Sequence, residues 1–130
     1  MPYLIDSDWI VDYLSDLRDA RDLIERLTPS GLVISIITYM EVYEGVSEQA
    51  DPIAAQVKFD SFLQGLVLLP LSPAVARRCA DLRRQLRRQG RRVRPRSLDL
   101  IIGATAIEHD LTLVTRNVND YRDVPGLKLL

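Results

Sequence analysis

The amino-acid sequence predicts a three-layer α/β/α domain built on a central, mainly parallel sheet, and three observations carry that expectation. Short apolar runs alternate with stretches of helical periodicity, the pattern of strands joined by right-handed helical crossovers that cover both faces of a sheet. The 130 residues are 47% hydrophobic and 27% charged, a length that supports one core and removes roughly two-thirds of the unfolded surface from water. No Gly/Ser- or Pro-rich tract divides the chain and no segment repeats, so residues 1–130 read as a single domain.

Tyr3-Leu4-Ile5 is the first apolar run, ending at Asp6-Ser7, after which Trp9, Ile10, Tyr13, Leu14 and Leu17 recur at helical spacing. Thr28-Pro29-Ser30-Gly31 is a turn cluster, and Leu32 to Ser35 is a second strand that leads into a helix around Ile37 to Val46. A further helix is expected from Pro52 to Leu63. Leu66 to Leu69, closed by Pro70, reads as a third strand, and Pro73 opens a long arginine-rich helix that reaches about Gln89 and stops at Gly90. After the basic loop from Arg91 to Arg96, Ser97 can cap an apolar helix from Leu98 to about His109. The strand Thr112-Leu113-Val114 follows, with a short last strand at Leu127 to Leu129. In such sheets ligands bind beyond the C-terminal strand ends, near the point where the winding reverses, which directs attention to residues just after the strands.

Cys79 is the only cysteine, which excludes an internal disulfide and a cysteine-based zinc site. The opening residues reach Asp6 before an apolar region of signal-peptide length can form, and no apolar run approaches the roughly 18 residues of a membrane span. A soluble, cytoplasmic protein with no membrane association is expected. The formal net charge of −1 hides an uneven distribution. Ten of the fifteen arginines lie between Arg77 and Arg96, a stretch whose only acid is Asp81, whereas most carboxylates precede it.

Asp6 follows the first strand, Glu41 lies in the helix after the second, Asp99 begins the helix before the fourth, and Asn117 and Asp120 follow that fourth strand. All five can meet at one edge of the sheet. Carboxylates brought together repel one another and hold protons more tightly unless a cation compensates them. Mg²⁺ or Mn²⁺, which bind carboxylate oxygens and retain water, is the expected cofactor, and such a site suits phosphodiester cleavage. Each acid also has a plain structural reading. Asp6 or Ser7 can cap the first helix. Thr38-Tyr39-Met40-Glu41 has the spacing of a capping box, Asp99 can complement a helix dipole, and Asp120 can be a solvated turn residue. Glu44, one helical turn from Glu41, reads as solvated.

Four segments stand in order along the chain: Leu4-Ile5-Asp6-Ser7-Asp8; Ile37-Thr38-Tyr39-Met40-Glu41-Val42-Tyr43-Glu44-Gly45; Leu98-Asp99-Leu100-Ile101-Ile102-Gly103-Ala104-Thr105-Ala106; and Leu113-Val114-Thr115-Arg116-Asn117 with Asp120-Tyr121 and Val124-Pro125-Gly126-Leu127. Together they resemble the PIN-domain ribonucleases, specifically the VapC-type toxins of type II toxin–antitoxin systems, over essentially the whole chain. The resemblance implies a PIN-like α/β/α domain that hydrolyses RNA as an Mg²⁺- or Mn²⁺-dependent endoribonuclease. It implies that Asp6, Glu41 and Asp99 are the metal-binding and catalytic carboxylates. The fourth position is either Asn117, which stands where some relatives carry Asp, or Asp120, three residues later. Ser7 or Thr115 can support the site by hydrogen bonds. The resemblance further implies an RNA substrate, a cognate VapB-type antitoxin that inhibits the enzyme, and a homodimer.

Arg84, Arg88, Arg92, Arg94 and Arg96 in the basic segment, with Arg116 after the fourth strand, are candidate RNA-binding residues, because guanidinium groups pair with phosphate and attract a polyanion. The same segment also reads as a solvated helix face or as an antitoxin-binding surface. Unpaired RNA is the expected substrate, since its backbone enters a narrow acidic cleft and its bases are open to readout. Tyr3, Trp9, Tyr13, Tyr39 and Tyr43 read as core or interface residues rather than base-stacking platforms, and His109 as a helix-end residue. Asp6-Ser7-Asp8 after a strand also fits the opening of a haloacid-dehalogenase-type phosphatase. That chemistry needs a cation, typically Lys, after a later strand, and neither Lys58 nor Lys128 is so placed. The rival from another class is a catalytically silent PIN-like module that binds RNA or protein.

Overall fold

The computed structural model describes residues 2–130. Its elements are β1 (Tyr3–Ile5), α1 (Ser7–Leu14), α2 (Arg18–Leu27), β2 (Leu32–Ser35), α3 (Ile36–Ser47), α4 (Pro52–Leu63), β3 (Val67–Leu69), α5 (Pro73–Arg88), α6 (Ser97–Glu108), β4 (Thr112–Val114), α7 (Val118–Tyr121) and β5 (Lys128–Leu129), with short 3₁₀ turns at Thr28–Ser30 and Arg94–Arg96. The strands lie in the order β3-β2-β1-β4-β5 and every pair is parallel. From β1 to β3 the chain winds outward in one direction, then returns to lay β4 on the other side of β1. The winding therefore reverses between β1 and β4, and the connections leaving those two strands diverge to open a crevice at their C-terminal ends.

Alternation along each strand sends side chains to opposite faces, and in the inner strands β1, β2 and β4 both faces are largely buried, so these read as continuous apolar runs, whereas Val67 and Leu68 of the edge strand β3 are exposed. Ile5, Leu32, Ile34 and Val114 pack on one side with Ile10, Ile24, Leu27, Val42, Val46 and Phe59, so α1 to α4 form one helical layer. Leu4, Val33 and Leu113 point the other way, onto Ile102, Ala106 and Tyr121. There α6 is covered in turn by Val75, Cys79, Leu82 and Leu86 of α5. The three-layer architecture expected from the sequence is present, with a sheet that is wholly parallel.

Local differences from the sequence reading have local causes. The helix expected through Leu17 ends at Leu14, and a separate helix that the sequence reading did not name, α2, starts at Arg18; the turn between them passes through Asp16, whose φ of 62° lies in the left-handed region that Asp tolerates better than most residues. Arg21 and Lys58 pair with the Asp16 carboxylate at 3.0 and 3.3 Å, and Lys58 Nζ also donates to the Leu14 carbonyl at 2.7 Å, closing the end of α1. The chain leaves α5 through Gly90, at φ 73°, a conformation that favours glycine. Ser97 does not cap α6. It is the first helical residue, and its hydroxyl donates to the Arg94 carbonyl while accepting from Arg83. The four-residue α7 was not expected from the sequence, being too short for a periodic signal.

Candidate active site

Asp6 is the first residue beyond β1 and Thr115 the first beyond β4, so the neighbouring strands at the winding reversal deliver both to the crevice. Asp6 is only 3% exposed. It caps α1 with Oδ1, accepting from the Ser7 N–H at 2.8 Å, while Oδ2 accepts from the Thr115 hydroxyl at 2.7 Å. Its capping and site roles therefore coexist. The Tyr121 hydroxyl lies 3.4 Å from the same Oδ2 and 3.2 Å from Asp99 Oδ1, linking the carboxylate after β1 to the one in the first turn of α6.

Glu41 reaches the site from α3. Ser35, the last residue of β2, caps that helix by accepting from the Thr38 N–H at 3.1 Å. The helix therefore begins directly at the strand end, with its cap three residues before Thr38, and the capping-box reading of Thr38 and Glu41 falls. Asp8 joins the cluster from α1, with Oδ1 accepting from the Trp9 N–H at 2.7 Å and Oδ2 from the Arg116 N–H at 3.0 Å.

Burial raises the proton affinity of Asp6, Asp8, Glu41 and Asp99, and the charges of the others raise it further: Asp99 acts on Asp6, Asp6 on Asp8 and Glu41, and Asp120 on Asp99. Hydrogen bonds from Thr115, Ser7, Arg116 and Tyr121 oppose the rise without cancelling it. Among the described residues, no ion pair involves any of these four acids. A cluster of oxygen donors with uncompensated charge fits a hard divalent cation. Among the described residues, no three of them already stand together as a metal-ligand group.

The two candidates for the fourth position are placed differently. Asp120 lies close enough to raise the proton affinity of Asp99 and shares a cleft with it. Asn117 is exposed at the start of α7, where its backbone N–H donates to the Thr115 hydroxyl at 3.0 Å and its side chain caps nothing.

The arginines divide into engaged and open groups. Arg96 is held by Asp123 at 2.6 Å and by the carbonyls of Arg92 and Asp120, so it ties the Arg94–Arg96 turn to the end of α7. Arg116 pairs with Asp12 and Asp19, both at 2.8 Å, and lies 3.6 Å above the Trp9 ring, fastening the segment after β4 to α1 and α2. Arg84 pairs with Asp81 one turn away. Arg88, Arg92 and Arg94 are exposed and unpaired among the described residues. A cleft of about 470 Å³ runs from Arg91 and Arg92 to Asp99 and Asp120, so basic and acidic groups line a single groove.

Asp8 and Tyr121 complete the site although sequence reasoning gave neither a role. Asp8 stood inside a motif but resembles any acid in a first helical turn. Tyr121 shows its role only through the position of its hydroxyl.

Residues 3–127 match the family model described as PIN domain. The chain belongs to the PIN domain family. This PIN domain is similar to Ribonuclease VapC10 of Mycobacterium tuberculosis, with 31% identity across 88% of this chain and 82% of the relative. In structure it is similar to VapBC2 from Rickettsia felis bound to a DNA fragment from their promoter, with a TM-score of 0.89 and 27% identity, covering 100% of this chain and 98% of that one. A toxin–antitoxin complex from Klebsiella pneumoniae is also similar, with a TM-score of 0.77 and 30% identity over 98% and 95% of the two chains. The VapC-type PIN resemblance carried by the four motifs is borne out, and all the clustered carboxylates fall within the matched span.

Proposed function

We propose that this PIN domain is a metal-dependent endoribonuclease that acts as the toxin of a toxin–antitoxin pair and is inhibited by a VapB-type antitoxin. The observation that carries the proposal is the convergence of Asp6, Asp8, Glu41 and Asp99 on the β1/β4 crevice with, among the described residues, no ion pair to any of them. The ribonuclease and toxin–antitoxin names of its relatives support the reaction and the partner. Asp6, Glu41 and Asp99 would hold Mg²⁺ or Mn²⁺, with Asp120 favoured over Asn117 as the fourth group because it faces Asp99. A bound ion of this kind supplies activation of the attacking water and neutralisation of charge growing on the phosphate.

The chain's own residues do the rest. Thr115 and the Ser7 N–H fix both oxygens of Asp6, so one wall of the site is rigid before substrate arrives. Carboxylates whose proton affinity is raised are suited to accept the proton that the attacking water loses as its oxygen bonds to phosphorus and the P–O bond to the leaving nucleotide breaks. Arg91 and Arg92, at the far end of the cleft, attract the RNA backbone and align it toward Asp99. A homodimer and a location in the cytoplasm complete the proposal; no helix among the described residues is long and apolar enough to cross a membrane.

The test is cleavage of a labelled RNA pool by purified, antitoxin-free protein with Mg²⁺, with Mn²⁺ and with EDTA, alongside Asp6→Asn and Asp99→Asn. Cutting that needs metal, disappears in both variants and is suppressed by the cognate antitoxin is the expected result. A wild type that binds RNA or a protein partner yet cuts nothing with either metal would replace the enzyme with a silent binding module.

A further inference from the structure

We propose that Tyr121 is a positioning residue whose hydroxyl orients the Asp99 carboxylate toward Asp6 for divalent-cation binding; this rests on the metal-nuclease reading above. The two carboxylates are held very differently. Asp6 has both oxygens engaged by Ser7 and Thr115. Among the described residues, Asp99 receives a side-chain hydrogen bond from Tyr121 alone, at 3.2 Å. The side chain of Ser97, two residues before it, turns away to Arg94 and Arg83. Without Tyr121 the half-buried Asp99 carboxylate would be free to rotate about its side-chain bonds.

A phenol has one proton to give. Asp6 Oδ2 lies farther from it, at 3.4 Å, and already accepts a 2.7 Å bond from Thr115, so the proton is directed to Asp99 Oδ1. That leaves Asp99 Oδ2 available to a cation.

Packing alone does not explain the hydroxyl. Tyr121 is 1% exposed, within an apolar cluster that includes Leu4, Ile102 and Leu113, and a phenylalanine ring would fill the same space. Burying a hydroxyl is unfavourable unless it is hydrogen-bonded, and here its partners are two carboxylates of the candidate metal site. Groups that orient a metal ligand in this way contribute to affinity without touching the ion.

The experiment compares wild type with Tyr121→Phe in the full chain, using Mn²⁺ titration calorimetry without RNA and RNA cleavage as a function of Mn²⁺. The variant should bind Mn²⁺ roughly 10–100-fold more weakly. Its half-maximal Mn²⁺ concentration for cleavage should rise in parallel, with the rate recovering at saturating metal, a split that loss of packing would not produce. In an Asp99→Asn background the same substitution should have no further effect on Mn²⁺ binding. In the wild type, the ¹³Cζ resonance of Tyr121 should shift as Mg²⁺ is added, a readout that does not depend on the variant folding. Equal Mn²⁺ affinity in wild type and Tyr121→Phe, an additional loss in the Asp99→Asn background, or an unmoved resonance overturns the assignment while leaving the nuclease reading in place. A wild type that takes up no Mn²⁺ overturns both.

Discussion

Both carboxylate oxygens of Asp6 accept hydrogen bonds, yet burial outweighs them and the group holds its proton more tightly than an ordinary carboxylate. The sign for stability follows from linkage. A carboxyl whose folded proton affinity is raised stabilises the fold fully below its unfolded pKa, about 4, and that contribution is lost as pH rises through the higher folded value. Asn cannot ionise but still caps a helix, so Asp6→Asn keeps the N-terminus of α1 and removes the buried charge. In EDTA the variant is expected to melt higher than wild type at about pH 7, with the gap closing toward about pH 4. Thermal unfolding across that range checks this, and a gap that widens on acidification would contradict the sign. Asp8 and Tyr121 were not legible at this scale, because an acid in a first turn and an aromatic in an apolar stretch carry ordinary structural readings. Their roles depend on Thr115 and Asp99, which are distant in sequence.

At the scale of elements, α6 presents Asp99 at its start and packs its middle against the C-terminal segment. A Cβ added at Gly103 would meet Leu127, Tyr121 and Val124 each at 3.9 Å, ordinary van der Waals contact. Glycine inside a helix is less favourable than alanine by about 0.5–1 kcal/mol. Gly103→Ala is therefore expected to stabilise the protein by about that amount in urea unfolding, with RNA cleavage retained. A destabilised variant would mean that Tyr121 or Leu127 cannot tolerate the added methyl. Periodicity located α3 to α6 closely, with Pro52 and Pro73 marking two helix starts, but it did not reveal α2 as a separate helix. The break at Asp16, the cap at Ser35 and the short α7 were less accessible, since each depends on backbone conformation or on tertiary partners such as Lys58.

Across the whole molecule, a net charge near zero separates into a carboxylate crevice and an arginine-bearing face, joined by the cleft from Arg91 to Asp120. Neutralising a phosphate releases counterions, and for single strands the slope of log affinity against log salt changes by roughly 0.7 for each phosphate neutralised. Replacing Arg91 and Arg92 by Gln should therefore flatten the salt dependence of RNA binding in EDTA, by about 0.7 for each phosphate that an arginine no longer neutralises, as measured by fluorescence anisotropy with an unpaired RNA. An unchanged slope would take the cleft arginines out of the RNA path. Arg96 and Arg116 belong to a different class, because their guanidinium groups are committed to Asp123 and to Asp12, Asp19 and Trp9.

The sequence by itself determined the α/β/α class and the family and nominated three of the acids as candidates, because those depend on local periodicity and on short motifs whose residues are neighbours in the chain. The tertiary structure decided which arginines are open, brought Asp8 and Tyr121 to the site, placed Asp120 beside Asp99 and discarded the capping-box reading of Glu41. Those outcomes depend on distances between residues as far apart as Asp6 and Thr115. The parallel pairing of β1 with β4, and the crevice where the winding reverses, set such distances, and no local pattern encodes them.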